Sequence, residues 1–137
     1  MSIYVEKVHD VLAGKVQTTG TVVLVDRLWP RGIKKDELSY DYWLKSAAPS
    51  PGLRKWFGHD PNRFDEFSRR YRAELDAALS DAGSETRAQH ADREQGDVDK
   101  LISFACSGDV TLLFSTKDRV HNHARVLAGW LAARTSG

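Results

Sequence analysis

Apolar residues follow two patterns along the chain, and the first is typical of β-strands. Residues 3–8 alternate apolar and polar side chains, as a half-buried strand does. Residues 21–26 and 110–115 are short, almost continuous apolar runs that suit strands buried on both faces. The chain is therefore predicted to contain three strands, two of them inside a sheet.

The second pattern, with apolar residues at three- and four-residue steps, predicts helices between the strands. It is clearest over residues 61–79, where charged residues occupy the opposite face and Asp60 is placed to cap the first turn ahead of Pro61. Four shorter helices are predicted as well: around 42–44 with Pro49 and Pro51 ending it, around 53–57, around 98–105 with Gly108 ending it, and over about 122–133.

Strands that alternate with helices and finish in a strand-to-helix unit predict an α/β fold. We expect a single compact domain over residues 1–137, with a small, mostly parallel sheet flanked by helices. The direction of residues 3–8 stays open, because their short connection to residues 21–26 could form a hairpin and make the sheet mixed. A chain of 137 residues is long enough to bury a core without disulfides or metal.

Composition narrows the class of protein further. The chain has 20 Lys and Arg against 19 Asp and Glu, and 41% of its residues are hydrophobic, which excludes wholesale disorder and fibrous classes. Its one cysteine, Cys106, excludes an internal disulfide and a Cys-rich zinc site. Neither a secretory signal nor a membrane-spanning run is visible, so we expect a cytoplasmic protein with no membrane partner.

Charge is distributed unevenly along the chain. Residues 27–59 contain seven Lys and Arg against three Asp and Glu, whereas residues 81–99 contain six acidic residues against two Arg. No large apolar residue occurs between Asp81 and Gln95, so we expect an acidic, mobile insertion at about 81–97. The two segments are either ordinary solvated surfaces, or one basic working face and one acidic loop.

The predicted strand ends indicate where a site would lie. If residues 21–26 and 110–115 are parallel strands, their carboxyl ends share one edge of the sheet, where open α/β sheets usually bind ligands. The loops of residues 26–35 and 115–123 leave that edge, and both are rich in Arg, Lys and His. The second loop also leads into a helix N-terminus, which favours an anion. Together they predict a cationic crevice for a small anionic molecule that bears a phosphate or carboxylate.

The side chains of these two loops supply the candidate site residues. Asp26 and His123 are the catalytic candidates, as acid and base. Arginine fits phosphate and carboxylate bidentately, which lysine does not. The ligand-binding candidates are Arg27, Trp29, Arg31, Lys34, Ser115, Thr116, Lys117 and Asn122. The Walker pattern and the dinucleotide-binding glycine fingerprint are both absent, and we expect neither a metal nor a cofactor.

Each candidate also has a purely structural interpretation. Arg27 and Arg31 could pair with Asp26 and nearby acids, and Asp26 could orient Arg27 or cap the following turn. His123 is either a satisfied, buried histidine or a group that faces the crevice from the first helical turn. Three tryptophans could stack bases as an aromatic wall or pack as core and lid: Trp29, Trp43 and Trp56.

Other reactive residues are assigned to structure. His121 and His123 lie two residues apart and cannot share one helix face, which argues against a two-histidine metal site. His59 is assigned, with Asp60, to the cap of the following helix. Cys106 precedes a predicted strand instead of following one, so it is expected to pack and not to act as a nucleophile.

A recognisable block occupies residues 23–35, with the sequence VLVDRLWPRGIKK, and further blocks occur at residues 48–50, 53–55, 111–115 and 122–124. These blocks resemble the YeaO-like family, domain of unknown function 488, and the resemblance covers nearly the whole chain. It implies a compact, bacterial-type cytoplasmic α/β domain and implies no activity. Residues 81–99 look like an insertion relative to the shorter family pattern.

Two functions from different classes remain as hypotheses. The first is an enzyme or sensor domain that binds a small anionic ligand in the crevice, with the question of catalysis left open. The second is a non-catalytic nucleic-acid or protein-binding module, because aromatic residues interleave with the basic segment. The net charge of +1 ranks this second hypothesis below the first. The oligomeric state and the strand order are not predicted.

Overall fold

Four parallel strands among the described residues form the central sheet. They are β1 (Ile3–Lys7), β2 (Thr21–Leu24), β3 (Tyr42–Trp43) and β4 (Val110–Phe114), in the order β1-β4-β2-β3. Strand β4 pairs with both β1 and β2, and β3 extends the sheet beyond β2. Because every pairing between the described strands is parallel, their carboxyl ends all lie at one edge.

The computed structural model describes residues 2–82, 96–118 and 120–135. Most of the acidic insertion predicted over 81–97 lies outside the described residues.

The described helices surround this sheet. They are α1 (Val8–Leu12), α2 (Pro51–Phe57), α3 (Phe64–Ala82), α4 (Asp97–Ser107) and α5 (His123–Thr135), with 3-10 turns at Lys45–Ala47 and Pro61–Arg63. The Asp60 carboxylate accepts the N–H of Asn62, which confirms the predicted cap, although the first turn is 3-10. None of the helices in the described part of the chain combines the length and the apolar character needed to cross a membrane.

Two apolar clusters lie on opposite faces of the sheet, because neighbouring residues of a strand point to opposite sides. On one face, Val23 and Leu112 pack with side chains of α2 to α5. On the other face, Val22, Leu24 and Leu113 pack with α1 and with the loop between β2 and β3. Strands β2 and β4 are therefore buried on both faces, as their continuous apolar runs predicted.

Strand β1 runs parallel to its neighbour β4, so residues 3–8 and 21–26 do not form the hairpin that the sequence left open. Strand β1 pairs with β4, from Ile3 opposite Val110 to Lys7 opposite Phe114. It ends one residue earlier than predicted, because Val8 begins α1. The sheet is thus parallel throughout the described residues, and the predicted α/β fold is confirmed.

The helix predicted around residues 42–44 is wrong. Tyr42 and Trp43 form the edge strand β3, and the N–H groups of Asp41 and Leu44 donate hydrogen bonds to carbonyls of β2. Three consecutive apolar residues fit a helical period and a strand period equally well. Hydrogen bonds to the edge of β2 make this segment a strand. The 3-10 turn Lys45–Ala47 follows immediately.

The packing role predicted for Cys106 is also wrong, because this residue is exposed. The buried positions of α4 are Val98, Leu101 and Ala105. Cys106 therefore lies one residue beyond the inward-facing stripe of the helix.

Candidate functional site

A cleft of about 880 Å³ opens at the carboxyl edge of the sheet. Strands β2 and β4 end at Leu24 and Phe114, so Asp26 and Ser115 lie just past the ends of two neighbouring strands. Lys7, the last residue of β1, lines the same cleft. Three parallel strands thus end side by side beneath it, which is the usual place for a ligand in an open α/β sheet.

Eight of the ten site residues predicted from the sequence line this cleft. They come from the loop after β2, from the loop after β4 and from the first residue of α5: Asp26, Arg27, Trp29, Arg31, Ser115, Thr116, Lys117 and His123.

The other two predicted residues, Lys34 and Asn122, do not line this cleft, although Asn122 lines the smaller cavity beside it. The side chain of Lys34 is exposed and its backbone N–H donates to Glu37, 2.9 Å away. Asn122 is buried and caps α5, because its Oδ1 accepts the N–H of Arg125 and its Nδ2 donates to the carbonyl of Asp118, both at 3.0 Å. Both polar groups of the Asn122 amide therefore hold the loop.

Cations outnumber acids in the lining of the cleft. Among the described residues these are Lys7, Arg27, Arg31, Arg54 and Lys117, against Asp26 and Asp118. Sequence reasoning did not select Lys7 or Arg54. The parallel direction of β1 is the signal that would have identified Lys7, whereas Arg54 reaches the cleft only through the tertiary placement of α2.

Arg27 is held in a fixed orientation by the backbone that precedes α2. Its Nε donates to the carbonyl of Pro49 at 3.2 Å and its Nη2 donates to the carbonyl of Ala48 at 3.3 Å. A guanidinium has five N–H donors, so three remain. Neither Arg27 nor Arg31 forms an ion pair within the part of the chain that the structure describes, so the alternative in which they pair with Asp26 is not observed.

Helix α3 holds the backbone segment that orients Arg27. Glu74 accepts hydrogen bonds from the backbone N–H of Ser50 at 2.9 Å and from its hydroxyl at 2.6 Å. The Tyr71 hydroxyl donates to the carbonyl of Ala47. Burial raises the pKa of Tyr71 well above its usual value of about 10, and the nearby Glu74 carboxylate adds to this effect. The Tyr71 hydroxyl therefore keeps its proton near neutral pH and remains a hydrogen-bond donor.

Asp26 is a buried carboxyl whose two oxygens face different side chains. Its Oδ2 accepts a hydrogen bond from Ser115 Oγ at 2.5 Å. Its Oδ1 is buried without a hydrogen-bond partner among the described residues and lies 3.3 Å from Nε2 of His123. Because Ser115 donates its single proton to Asp26, it presents lone pairs to the cleft.

His123 is oriented by the backbone at the end of β2. Its Nε2 lies 2.9 Å from the carbonyl oxygen of Val25, which can only accept, so Nε2 carries a proton. In the neutral imidazole the lone pair is then on Nδ1, which has no partner among the described residues. Of the two acid/base candidates, His123 therefore has a ring nitrogen free for proton exchange, whereas the oxygens of Asp26 face inward.

Asp118 is engaged in the turn that precedes α5. Its Oδ1 accepts the N–H groups of Val120 and His121 at 2.9 and 2.8 Å, and its Oδ2 lies 3.0 Å from Nδ1 of His121. These hydrogen bonds, the one from the His121 backbone first, hold the pKa of Asp118 below its usual range. Asp118 remains negative near neutral pH, with its charge directed into the turn.

A second, smaller cavity of about 290 Å³, here called the side pocket, adjoins the cleft. Its apolar lining comes from Pro49, Pro51, Phe57 and Phe67. Its other described lining residues are polar or charged: Arg54, Lys55, His59, Thr116, His121, Asn122 and His123. The cleft and the side pocket share five lining residues: Pro49, Arg54, His59, Thr116 and His123.

His59 lies at the boundary between the cleft and the side pocket. It follows Gly58, the left-handed residue that ends α2, and its own φ of +59° is unusual for a residue with a side chain. Its Nδ1 lies 3.4 Å from Oγ1 of Thr116. Sequence reasoning placed His59 in a helix cap, and the sequence contains no local signal that it would face the loop after β4.

The tryptophans pack mainly against other side chains. Trp29 contacts the rings of Tyr40 and Trp43, with centroids 5.5 and 5.3 Å apart, and Trp43 donates from its indole nitrogen to the carbonyl of Asp26 at 2.7 Å. Trp56 lies beneath the guanidinium of Arg70. Of these three indoles, the cleft is lined by Trp29 alone.

No group of three or more His, Cys, Asp or Glu side chains within the described ranges is arranged to hold a metal ion.

Comparisons with known proteins identify relatives along most of the chain. A family model described as domain of unknown function DUF488 matches residues 7–131. "Uncharacterized protein YeaO" of Escherichia coli K12 is 40% identical over 131 residues, which cover 96% of this chain and 97% of that protein. "Uncharacterized protein Rv3073c" of Mycobacterium tuberculosis H37Rv is 38% identical over 115 residues, 84% of this chain and 83% of that protein. No solved structure matches the chain with significance.

Proposed function

The chain belongs to the DUF488 family of domains of unknown function, and we propose from its cleft that it binds a small anionic molecule bearing a phosphate or carboxylate group. The resemblance that the sequence blocks indicated is thereby confirmed. Since the family is described only as a domain of unknown function, the proposal rests on the charges and hydrogen-bonding groups of this chain.

The observation that carries the proposal is the imbalance of charge in the cleft. Among the described residues, five Lys and Arg side chains line it against two Asp. Both acids already have partners, because Asp26 accepts from Ser115 and Asp118 accepts from the turn that precedes α5. An anion that enters the cleft would therefore meet cations whose charges are only partly compensated.

Arg27 and Arg31 are the proposed ligands of the anion. Arg27 has three N–H donors left and is held in place before the ligand arrives, so it loses little side-chain freedom on binding. Arg31 is exposed at the wall of the cleft and free to close on the anion, and Lys117 contributes from the facing loop. Arginine suits this role because its planar donors match the oxygens of phosphate and carboxylate.

His123 is the group proposed to exchange a proton with the bound molecule, through Nδ1. Asp26 is proposed to act as a positioning residue, because it holds Ser115 and lies behind Nε2 of His123. From the sequence, both residues are acid/base candidates. In this proposal only His123 exchanges a proton, and Asp26 positions other side chains.

The test is calorimetric titration of the parent protein, Arg31→Ala and Lys34→Ala with inorganic phosphate at fixed ionic strength. Arg31→Ala is expected to weaken phosphate binding about tenfold or more, since a hydrogen bond to a charged group contributes about 1.5–3 kcal/mol. Lys34→Ala is the matched control, because Lys34 is an exposed cation of the same loop that does not line the cleft. Its affinity for phosphate is expected to change less than about twofold.

Equal losses in the two variants would contradict the proposed site. The proposed function itself would be contradicted if the parent protein did not bind phosphate but bound short oligonucleotides with an affinity that falls steeply as the salt concentration rises.

A further inference from the structure

We propose that the anionic ligand carries a flat apolar ring next to its charged group, and that this ring occupies the side pocket. The proposal rests on the proposed function of the cleft and specifies the class of ligand that the combined site would take: an anion such as a phosphate monoester attached directly to an aromatic ring.

The two cavities adjoin each other, which is the first reason. They share Arg54, His59, Thr116 and His123, so these side chains form the boundary between the cleft and the side pocket. A ligand whose charged group lies among the cations of the cleft could extend past this boundary without displacing the backbone. Arg54 is exposed there and forms no ion pair within the described ranges, so its guanidinium is available at the junction of ring and anion.

Part of the lining of the side pocket is aromatic and firmly held in the core. The rings of Phe57 and Phe67 stack with centroids 4.3 Å apart and an interplanar angle of 20°. Both residues are almost fully buried in the main core, which fixes their orientation. Pro49 and Pro51 supply the rest of its apolar lining. Such a lining favours a planar ring, because aromatic rings gain from offset or edge contacts with one another.

The size of the side pocket also suits a ring. Its volume is about 290 Å³. A cavity of roughly 150 Å³ is known to hold benzene when its walls are apolar. One ring therefore fits with room for a substituent or for a fused second ring, and the polar groups of Thr116 and His123 at the boundary would face the atoms that join the ring to the anion.

Trp29 is the other aromatic group on which a ring could stack, and its surroundings argue against it. Tyr40 and Trp43 pack against its ring, and its indole nitrogen donates to the carbonyl of Ile33. The ammonium group of Lys35 lies 5.9 Å from the Trp29 ring. Much of the ring surface is thus already occupied, whereas the side pocket is open.

The test compares two phosphate monoesters of the same charge, methyl phosphate and phenyl phosphate, by calorimetry on the parent protein. Phenyl phosphate is expected to bind about tenfold tighter or more, because burial of an aromatic ring contributes that much. Intermolecular NOEs from the phenyl protons are expected to the methyl group of Thr116 and to the ring of Phe57.

Two variants separate the ring from the anion. Phe57→Leu is expected to reduce the preference for phenyl over methyl phosphate while leaving methyl phosphate affinity unchanged. Phe104→Leu is the matched control, since Phe104 is a half-buried phenylalanine that stacks on Tyr42 away from the side pocket. If Phe57→Leu does not fold, the NOEs of the parent protein decide the question.

Equal affinity for the two esters, or NOEs to Trp29 in place of Thr116 and Phe57, would overturn the assignment of the ring and leave the anion site standing. Absence of binding by methyl phosphate, phenyl phosphate and inorganic phosphate, and by the carboxylates acetate and benzoate, would overturn the proposed function, and the ring assignment with it.

Discussion

Asp26 and His123 show how the surroundings of a residue decide its chemical role. Both are polar groups next to the cleft, and from the sequence either could serve as acid or base. In the structure the Asp26 oxygens face Ser115 and Nε2 of His123 at the end of the sheet, whereas His123 keeps one ring nitrogen free. A buried carboxyl with an unpartnered oxygen is uncommon, and such atoms occur at functional sites.

The protonation of His123 can be tested directly by long-range ¹⁵N–¹H NMR. We expect a visible imidazole N–H proton on Nε2, protected from exchange by the Val25 carbonyl, and an unprotonated Nδ1 in the neutral ring. His9 is the internal control, because it is exposed and should give no visible imidazole N–H. A proton found on Nδ1 with a bare Nε2 would contradict the orientation and remove His123 as the proton-exchanging group.

At the scale of elements, the sheet depends on a close approach between two turns. Gly20 immediately precedes β2, and the N–H of Thr21 donates to the carbonyl of Asp109 at 3.0 Å. Asp109 in turn precedes β4, so this contact aligns the two central strands. A Cβ atom at Gly20 would lie 2.0 Å from the Asp109 carbonyl oxygen, and the φ of Gly20 is +69°.

Gly20→Ala is therefore expected to destabilise the protein by about 3 kcal/mol or more, because backbone strain and a steric clash act together. Gly14→Ala is the matched control, since Gly14 has a similar φ of +75° but nothing within 4 Å of an added Cβ. Left-handed strain alone costs about 1–2 kcal/mol, which is the loss expected there. Equal losses in urea unfolding would show that the contact with Asp109 does not constrain the sheet.

At the scale of the whole molecule, helix α3 fixes the backbone segment that positions the site. Helix α3 binds the segment before α2 through Tyr71 and Glu74, and that segment supplies the carbonyls that orient Arg27. Three parts of the chain that are distant in sequence thus determine the position of one guanidinium. The same arrangement couples the global stability to pH, because Tyr71 is fully buried.

The folded-state pKa of Tyr71 lies well above its unfolded value of about 10. The stability that the neutral phenol contributes is fully present below pH 10 and is lost as the pH rises toward the folded-state pKa. Tyr71→Phe is expected to be less stable than the parent by about 1–2 kcal/mol at pH 8, because the buried Ala47 carbonyl loses its donor. Above pH 10 this gap should narrow by up to about 1.4 kcal/mol per pH unit.

Urea unfolding of both proteins at pH 8 and at pH 11 measures the gap. A gap of the same size at both pH values would show that Tyr71 ionises equally in the folded and unfolded chains.

The sequence by itself determined those features that depend on neighbours along the chain. The helical period over residues 61–79 and the cap at Asp60 predicted α3, and the apolar runs predicted the two central strands, because period and capping are local properties. Parallel strands then brought the loops after β2 and β4 together, which followed from strand polarity without knowledge of any side-chain contact.

Only the tertiary structure decided what depends on contacts between distant residues. Tyr42 and Trp43 form a strand because they pair with the outer edge of β2. Strand β1 is parallel because it pairs with β4 and does not form a hairpin with β2. Arg54 and His59 joined the site, and Lys34 and Asn122 did not line the cleft, because α2 and the capping turns fix where these side chains lie. Periodicity along a chain specifies which face of an element is apolar, but the neighbour that covers that face is chosen by packing in three dimensions.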